Sequence, residues 1–112
     1  MSPSPSSLLA GTLDLLILKT LSIGALHGYA IAQHIHRLSN DVLRVEEGSL
    51  YPALQRMQVK GWVLSETKRS PTGRQARYYR ITAAGRKQLA AEEKAFRSSV
   101  WATTLVLDGS KP

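Results

Sequence analysis

Pro52 stands inside EGSLYPALQRMQ, residues 47–58, where Leu50, Leu54 and Met57 recur at i, i+4 and i+7, the spacing of one helical face. A proline in a helix interior removes a backbone hydrogen bond and crowds the carbonyl four residues back. In the first turn it does neither, because those amides have no intrahelical acceptor. The helix is therefore expected to begin just ahead of the proline, with Ser49 as N-cap, and to end at Gly61. Leu50, Ala53, Leu54 and Met57 then face a core. Tyr51, Pro52, Gln55, Arg56 and Val59 form the opposite face.

The rest of the chain arranges itself around that helix. TLDLLILKTLS (12–22) is an apolar helix with Leu13, Leu16, Ile17 and Leu21 on one face, Thr12 as a cap and Asp14 near the positive end of the dipole. A second helix is predicted from about Tyr29 to Leu38, with Ile31, Ile35 and Leu38 as its buried stripe; Ser39-Asn40-Asp41 breaks it. Val42 to Val45 is a short β-prone connector. After Gly61, residues 62–68 and 77–82 are β-like, and SPTGRQ between them carries the Pro71 and Gly73 of a turn. That is a hairpin. Thr82 then caps a long last helix, about Ala83 to Leu107, whose Leu89, Phe96, Val100 and Leu107 fall on one face, flanked by Trp101 and Leu105. Little chain is left to cover that stripe, so a second copy is the expected partner. The fold class is mainly α with a small β-hairpin. The divisions are a disordered Ser/Pro arm (1–10), a winged helix-turn-helix domain (11–82) and a dimerisation helix (83–108).

Charge placement narrows the function. From Arg56 to Lys87 there are nine basic residues and one acid, Glu66, a net +8 in a chain of net +7, so the remainder is near neutral. A basic hairpin behind an exposed helix face points to nucleic acid. In a winged helix-turn-helix the third helix enters the major groove, and the wing meets the backbone or the minor groove. Tyr51 and Arg56 suit phosphates, Gln55 suits an adenine edge, and Arg74 and Arg77 on the wing suit phosphate or a narrow minor groove.

Four segments taken in order, GTLDLLILKTLS, HGYAIAQHI, EEGSLYPALQRM with the following KGW, and RYYRITAAGRKQL, resemble the PadR transcriptional regulators over roughly residues 11–90. The resemblance implies a homodimeric winged-helix repressor of the short subtype, whose single C-terminal helix makes the dimer. By similarity Tyr29, Ser49, Tyr51 and Pro52 match positions the family uses near DNA. Family wings carry more consecutive basic residues before the tyrosines than GRQARYY does here. Some family members bind aromatic compounds at the dimer interface, which implies a small aromatic inducer.

Other classes find less support. His27, His34 and His36 lack acidic or cysteine ligands at metal-site spacing, and the chain has no cysteine. There is no nucleophile elbow and no phosphate loop, so neither a catalytic residue nor a cofactor is expected. No apolar run approaches the ~20 residues of a membrane span, and the N-terminus lacks a basic signal region; the expectation is a cytoplasmic protein. An RNA-binding module would want stacking aromatics on a sheet, and the seven aromatics here are largely absorbed by core and signature. A protein-interaction module on the same fold is the other alternative. Trp101 is expected to pack at the dimer interface rather than stack on a ligand.

Overall fold

The computed structural model describes residues 12–109. The arm expected over residues 1–10 lies outside them. Helix α1 (Leu13–Leu21) is followed by a two-residue strand β1 (Leu26–His27), α2 (Gly28–Leu38), α3 (Glu47–Val59), β2 (Val63–Arg69), β3 (Gln75–Ile81) and α4 (Ala83–Asp108). The sheet is antiparallel throughout, in the order β1-β3-β2, with Leu26 opposite Tyr79, and Val63 opposite Ile81. Among the described residues no helix is long and apolar enough to cross a membrane.

The core lies where α1, α2 and α3 meet the root of the hairpin. Ile17 and Leu18 of α1, Ile31 of α2, Leu50, Leu54 and Met57 of α3 and Val63 of β2 are completely or nearly completely buried. Each side chain of this size contributes roughly 1.5–3 kcal/mol on burial. β1 is too short to read from periodicity. It exists because β3 offers a free edge to the residues entering α2.

Helices α2 and α3 end alike. At the end of α2, Asp41 N–H donates to His36 C=O (2.8 Å) and Asn40 N–H to Arg37 C=O (3.1 Å). At the end of α3, Trp62 N–H donates to Met57 C=O (2.9 Å) and Gly61 N–H to Gln58 C=O (3.0 Å). Each pair is a Schellman closure, which needs a left-handed residue just past the cap. Asn40 (φ 52°) and Gly61 (φ 78°) supply it. Gly61→Ala should cost about 1–2 kcal/mol, the penalty for a Cβ in left-handed backbone, readable as a lower denaturation midpoint with an unchanged denaturant slope.

Several expectations are corrected. The third helix starts at Glu47 with Glu46 as N-cap, so Ser49 lies within its first turn instead of capping it. Leu50 N–H already donates to Glu46 C=O at 2.9 Å. Pro52 is thus inside the helix, and it does cost a bond: the Gly48 carbonyl has no amide at position 52 to receive. Gly48 and Pro52 are both exposed, so that carbonyl faces water, which is why the helix runs through unbroken. Thr12 occupies the N-cap of α1 without a side-chain cap hydrogen bond. Helix α2 begins at Gly28, capped by His27, whose Nδ1 accepts from Ala30 N–H (3.2 Å). Leu38 is exposed, since the left-handed turn begins just beyond it. Residues 42–46 form no strand, although Leu43 and Val45 pack on the core.

Helix α4 keeps its expected cap: Thr82 Oγ1 accepts from Gly85 N–H at 3.0 Å. Its first turns are fastened. Gly85 and Leu89 are buried, and Lys19 of α1 donates to Glu93 at 3.1 Å, with Arg97 on the other carboxylate oxygen at 3.0 Å. The hydrogen bonds from Lys19 and Arg97 hold Glu93's carboxyl below its ordinary range. From Lys94 to Gly109 every residue is exposed, so the helix leaves the body and stretches the molecule to 63 × 29 × 20 Å. Leu89 therefore belongs to the protomer's own core and not to the outward stripe; Phe96, Val100, Trp101 and Leu107 are the exposed part of it.

Candidate nucleic-acid interface

The α3 residues that do not enter the core make one outward face. Leu50, Ala53, Leu54 and Met57 are buried, so the helical period leaves Tyr51, Pro52, Gln55 and Val59 exposed. Beside this face the wing folds back through its turn, where Ser70 N–H donates to Arg74 C=O (2.7 Å) and Gly73 (φ 86°) reverses the chain. Helix and wing enclose a cleft of about 740 Å³. Tyr29 and Tyr51 line one wall, and Ser70, Thr72, Arg74 and Arg77 the other. A second hollow of about 560 Å³ lies along α3, bounded by Tyr51, Gln55, Val59 and Arg77. Tyr51 and Arg77 border both, so the two elements meet at that pair.

Local packing sets these side chains. On β3, Arg77 and Tyr79 share a face at a separation of two residues. The Tyr79 ring is in the core, and the Arg77 side chain lies close enough to act on its hydroxyl. Burial raises the Tyr79 pKa, with the Arg77 charge pulling the other way. Gln58 donates to Ser65 Oγ (2.8 Å), tying the end of α3 to β2. On the other face of β3, Tyr78 meets the His27 ring edge-on (5.5 Å between centroids), and Lys68 Nζ lies 5.9 Å from the Tyr78 ring. His27 is parallel to Tyr29 at 6.4 Å, and the Tyr29 hydroxyl accepts from Gln33 (3.0 Å). These charge–ring and ring–ring contacts hold the entry to α2 against the wing.

The cleft gathers Tyr29, Tyr51, Arg74 and Arg77, with Gln55 in the adjoining hollow and Pro52 further round the same helix face. Ser49 is exposed in the first turn of α3 and lines neither hollow. Arg56 is not brought to the cleft. Its guanidinium donates to Asp14 Oδ1 of α1 at 2.7 Å, and it borders a separate groove with Leu13 and Phe96. The helical angle between residues 55 and 56, about 100°, is enough to send the two side chains to different neighbours. Sequence reasoning missed His27, Lys68, Ser70, Thr72 and Tyr78. For the histidine the available signal is its place directly ahead of a helix, where a polar residue is a cap candidate. Among the described residues no group of three or more histidine, aspartate or glutamate side chains is placed to hold a metal.

Three helices with an exposed third helix, followed by a basic hairpin, make a winged helix-turn-helix, an architecture of transcriptional regulators. The model of the transcriptional regulator PadR-like family matches residues 17–91, and the chain belongs to that family. A transcriptional regulator of Mycobacterium tuberculosis is 41% identical over 69 residues, covering 62% of this chain and 61% of that protein. A PadR-like transcriptional regulator of Bacillus cereus has a similar structure: TM-score 0.78, 29% identity, 90% of this chain and 96% of that one. A PadR family regulator of Clostridium difficile is similar at TM-score 0.74 and 26% identity, over 86% of this chain and 98% of the other.

Proposed function

We propose that this PadR-family regulator is a sequence-specific, double-stranded-DNA-binding repressor that works as a cytoplasmic homodimer on a palindromic operator. The observation that carries the reading is the shared border of α3 and the wing, where Tyr51 and Gln55 stand beside Arg77 and Arg74. A phosphate backbone running along the cleft would meet hydroxyls on one wall and guanidinium groups on the other. The groove face of α3 would then put Gln55 against base edges, adenine by preference. Two copies joined through α4 would read half-sites about one helical turn, ~10 base pairs, or a multiple apart. Repression would be steric, by occupation of a promoter. Release by a small aromatic inducer held at the dimer interface is the mode of control the family resemblance supports.

The deciding experiment is a gel shift with genomic fragments, followed by sequencing of those retained. An inverted repeat in the retained fragments is the expected result, and equal retention of RNA or of all fragments would remove the reading. Within it, Arg74→Ala with Arg77→Ala should lower the slope of log affinity against log salt by up to about two units on duplex DNA, leaving base preference nearly intact. Because Arg77 lies beside the core residue Tyr79 on the same face of β3, the melting temperature is measured alongside. Gln55→Ala should leave folding unchanged, since the side chain is exposed, and should weaken discrimination at one base pair per half-site by about 1–3 kcal/mol. A library of single-base operator variants reads this out, and an unaltered profile would assign specificity to other residues or to DNA shape.

A further inference from the structure

Position 28 is the first residue of α2, with ordinary helical backbone and no left-handed φ. Any residue suits such a place, so helix geometry gives no reason for a glycine there. What lies over it explains the glycine. A Cβ built on Gly28 would be 2.7 Å from the Tyr51 hydroxyl oxygen, 2.9 Å from its Cε1 and 3.0 Å from its Cζ. No backbone atom is among these contacts. The phenol end of Tyr51 therefore occupies the space a side chain at position 28 would need, in the wall of the wing cleft. The tyrosine is 42% exposed, so it is free to swing away if that surface is filled.

We propose that Gly28 is a positioning residue for DNA binding: its missing side chain is the seat that aims the Tyr51 hydroxyl into the wing cleft. This deepens the reading of Tyr51 as a phosphate contact and rests on it. The glycine is needed for the direction of one side chain and not for the fold. Replacing it with alanine leaves two outcomes for the structure, movement of the helix or movement of the tyrosine. The tyrosine yields first, because the clash is with the far end of a rotatable side chain on an open surface.

The test compares wild type, Gly28→Ala, Tyr51→Phe and the double variant of the full chain, binding a labelled duplex of mixed sequence across a salt series. Mixed sequence suffices because a phosphate contact carries no sequence information. Gly28→Ala should keep or raise the melting temperature and weaken binding at least about tenfold, the factor of one charge-assisted hydrogen bond. Tyr51→Phe should weaken it similarly, and the double variant no further. The salt slope should be unchanged in all of them, because no cation is lost. Tyrosine labelled with carbon-13 should show the Tyr51 ring resonances displaced in Gly28→Ala while those of Tyr79 stay. If Tyr51→Phe weakens binding and Gly28→Ala does not, the seat is refuted and the phosphate contact stands. If Tyr51→Phe binds like wild type, both fall together. A Gly28→Ala protein with a lower melting temperature or a flatter salt slope would mean that the helix or the wing had moved, and that too would overturn the proposal.

Discussion

Gly85→Ala should unfold much of the protein's stability margin, by about 3 kcal/mol or more, against the 5–15 kcal/mol that a domain normally has. The usual sign for such a change inside a helix is the reverse, a gain of roughly 0.5–1 kcal/mol over glycine. Here the added Cβ would run into the Trp62 carbonyl oxygen, and would be 2.7 Å from Ile81 Cγ1 and 3.0 Å from the Trp62 carbonyl carbon. Unlike the neighbour of Gly28, this one is main chain and cannot rotate away. The Trp62 carbonyl also accepts from Thr82 N–H (2.9 Å), and Thr82 Oγ1 donates to Gly61 C=O (2.7 Å). One crowded point thus fastens the end of α3, the root of both wing strands and the start of α4. Moving α4 outward breaks at least the Thr82–Trp62 bond and opens the core beside Ile81 and Leu89. Overpacking alone costs typically 1–3 kcal/mol, and a lost buried hydrogen bond adds to it. Thermal denaturation should show a fall of about 10 °C or more for a domain of this size. Gly48→Ala, inside α3 with nothing within 4 Å of the new carbon, is the control and should be neutral or stabilising.

The contrast between those two glycines shows what a sequence gives away. Periodicity placed all four helices and the hairpin, because the apolar stripes of α1 and α3 and the Pro/Gly turn at 70–74 are strong local signals. It misplaced the start of α3. Ser49 is as good a cap by type as any residue, but the extended backbone lies at Glu46, and only the path of the 42–46 connector decides that. β1 was illegible since two residues have no period, and its partner is some fifty residues away in the chain. At the interface, Tyr51, Gln55, Arg74 and Arg77 could be named from type and motif. That Arg56 turns to Asp14 instead could not, as the two are separated by 42 residues and meet only through packing of α1 on α3. Leu89 was ambiguous for a similar reason: the stripe on α4 is continuous in sequence, and only where α1 stops covering it divides core from surface.

Val100→Glu with Leu107→Glu should give a monomer whose operator affinity falls by about 10²–10⁴-fold, the range lost when two linked binding events become separate ones. Both side chains are exposed in the protomer, 46% and 71%, and share the outer part of α4 with Phe96, Trp101 and Leu105. An apolar run of this kind on a helix that has left the body is not covered by the other described residues. Among the described residues the helix is ion-paired to the body through Lys19 and Glu93, and the stripe beyond is exposed. Charges placed on it would be buried unpaired in a symmetric interface, which opposes association strongly. They would meet only water in the isolated protomer, so α1 to β3 should keep their fold. Sedimentation measures the state of association, and binding to an inverted repeat against mixed-sequence DNA measures the consequence. Operator affinity should fall far more than affinity for mixed sequence. Leu89→Ala separates the two parts of the helix: it should lower stability by about 2–5 kcal/mol through a core cavity while leaving the interface residues in place. A glutamate variant that still sediments as a dimer would remove α4 beyond Glu93 as the interface and with it the two-helix geometry on which the half-site spacing depends.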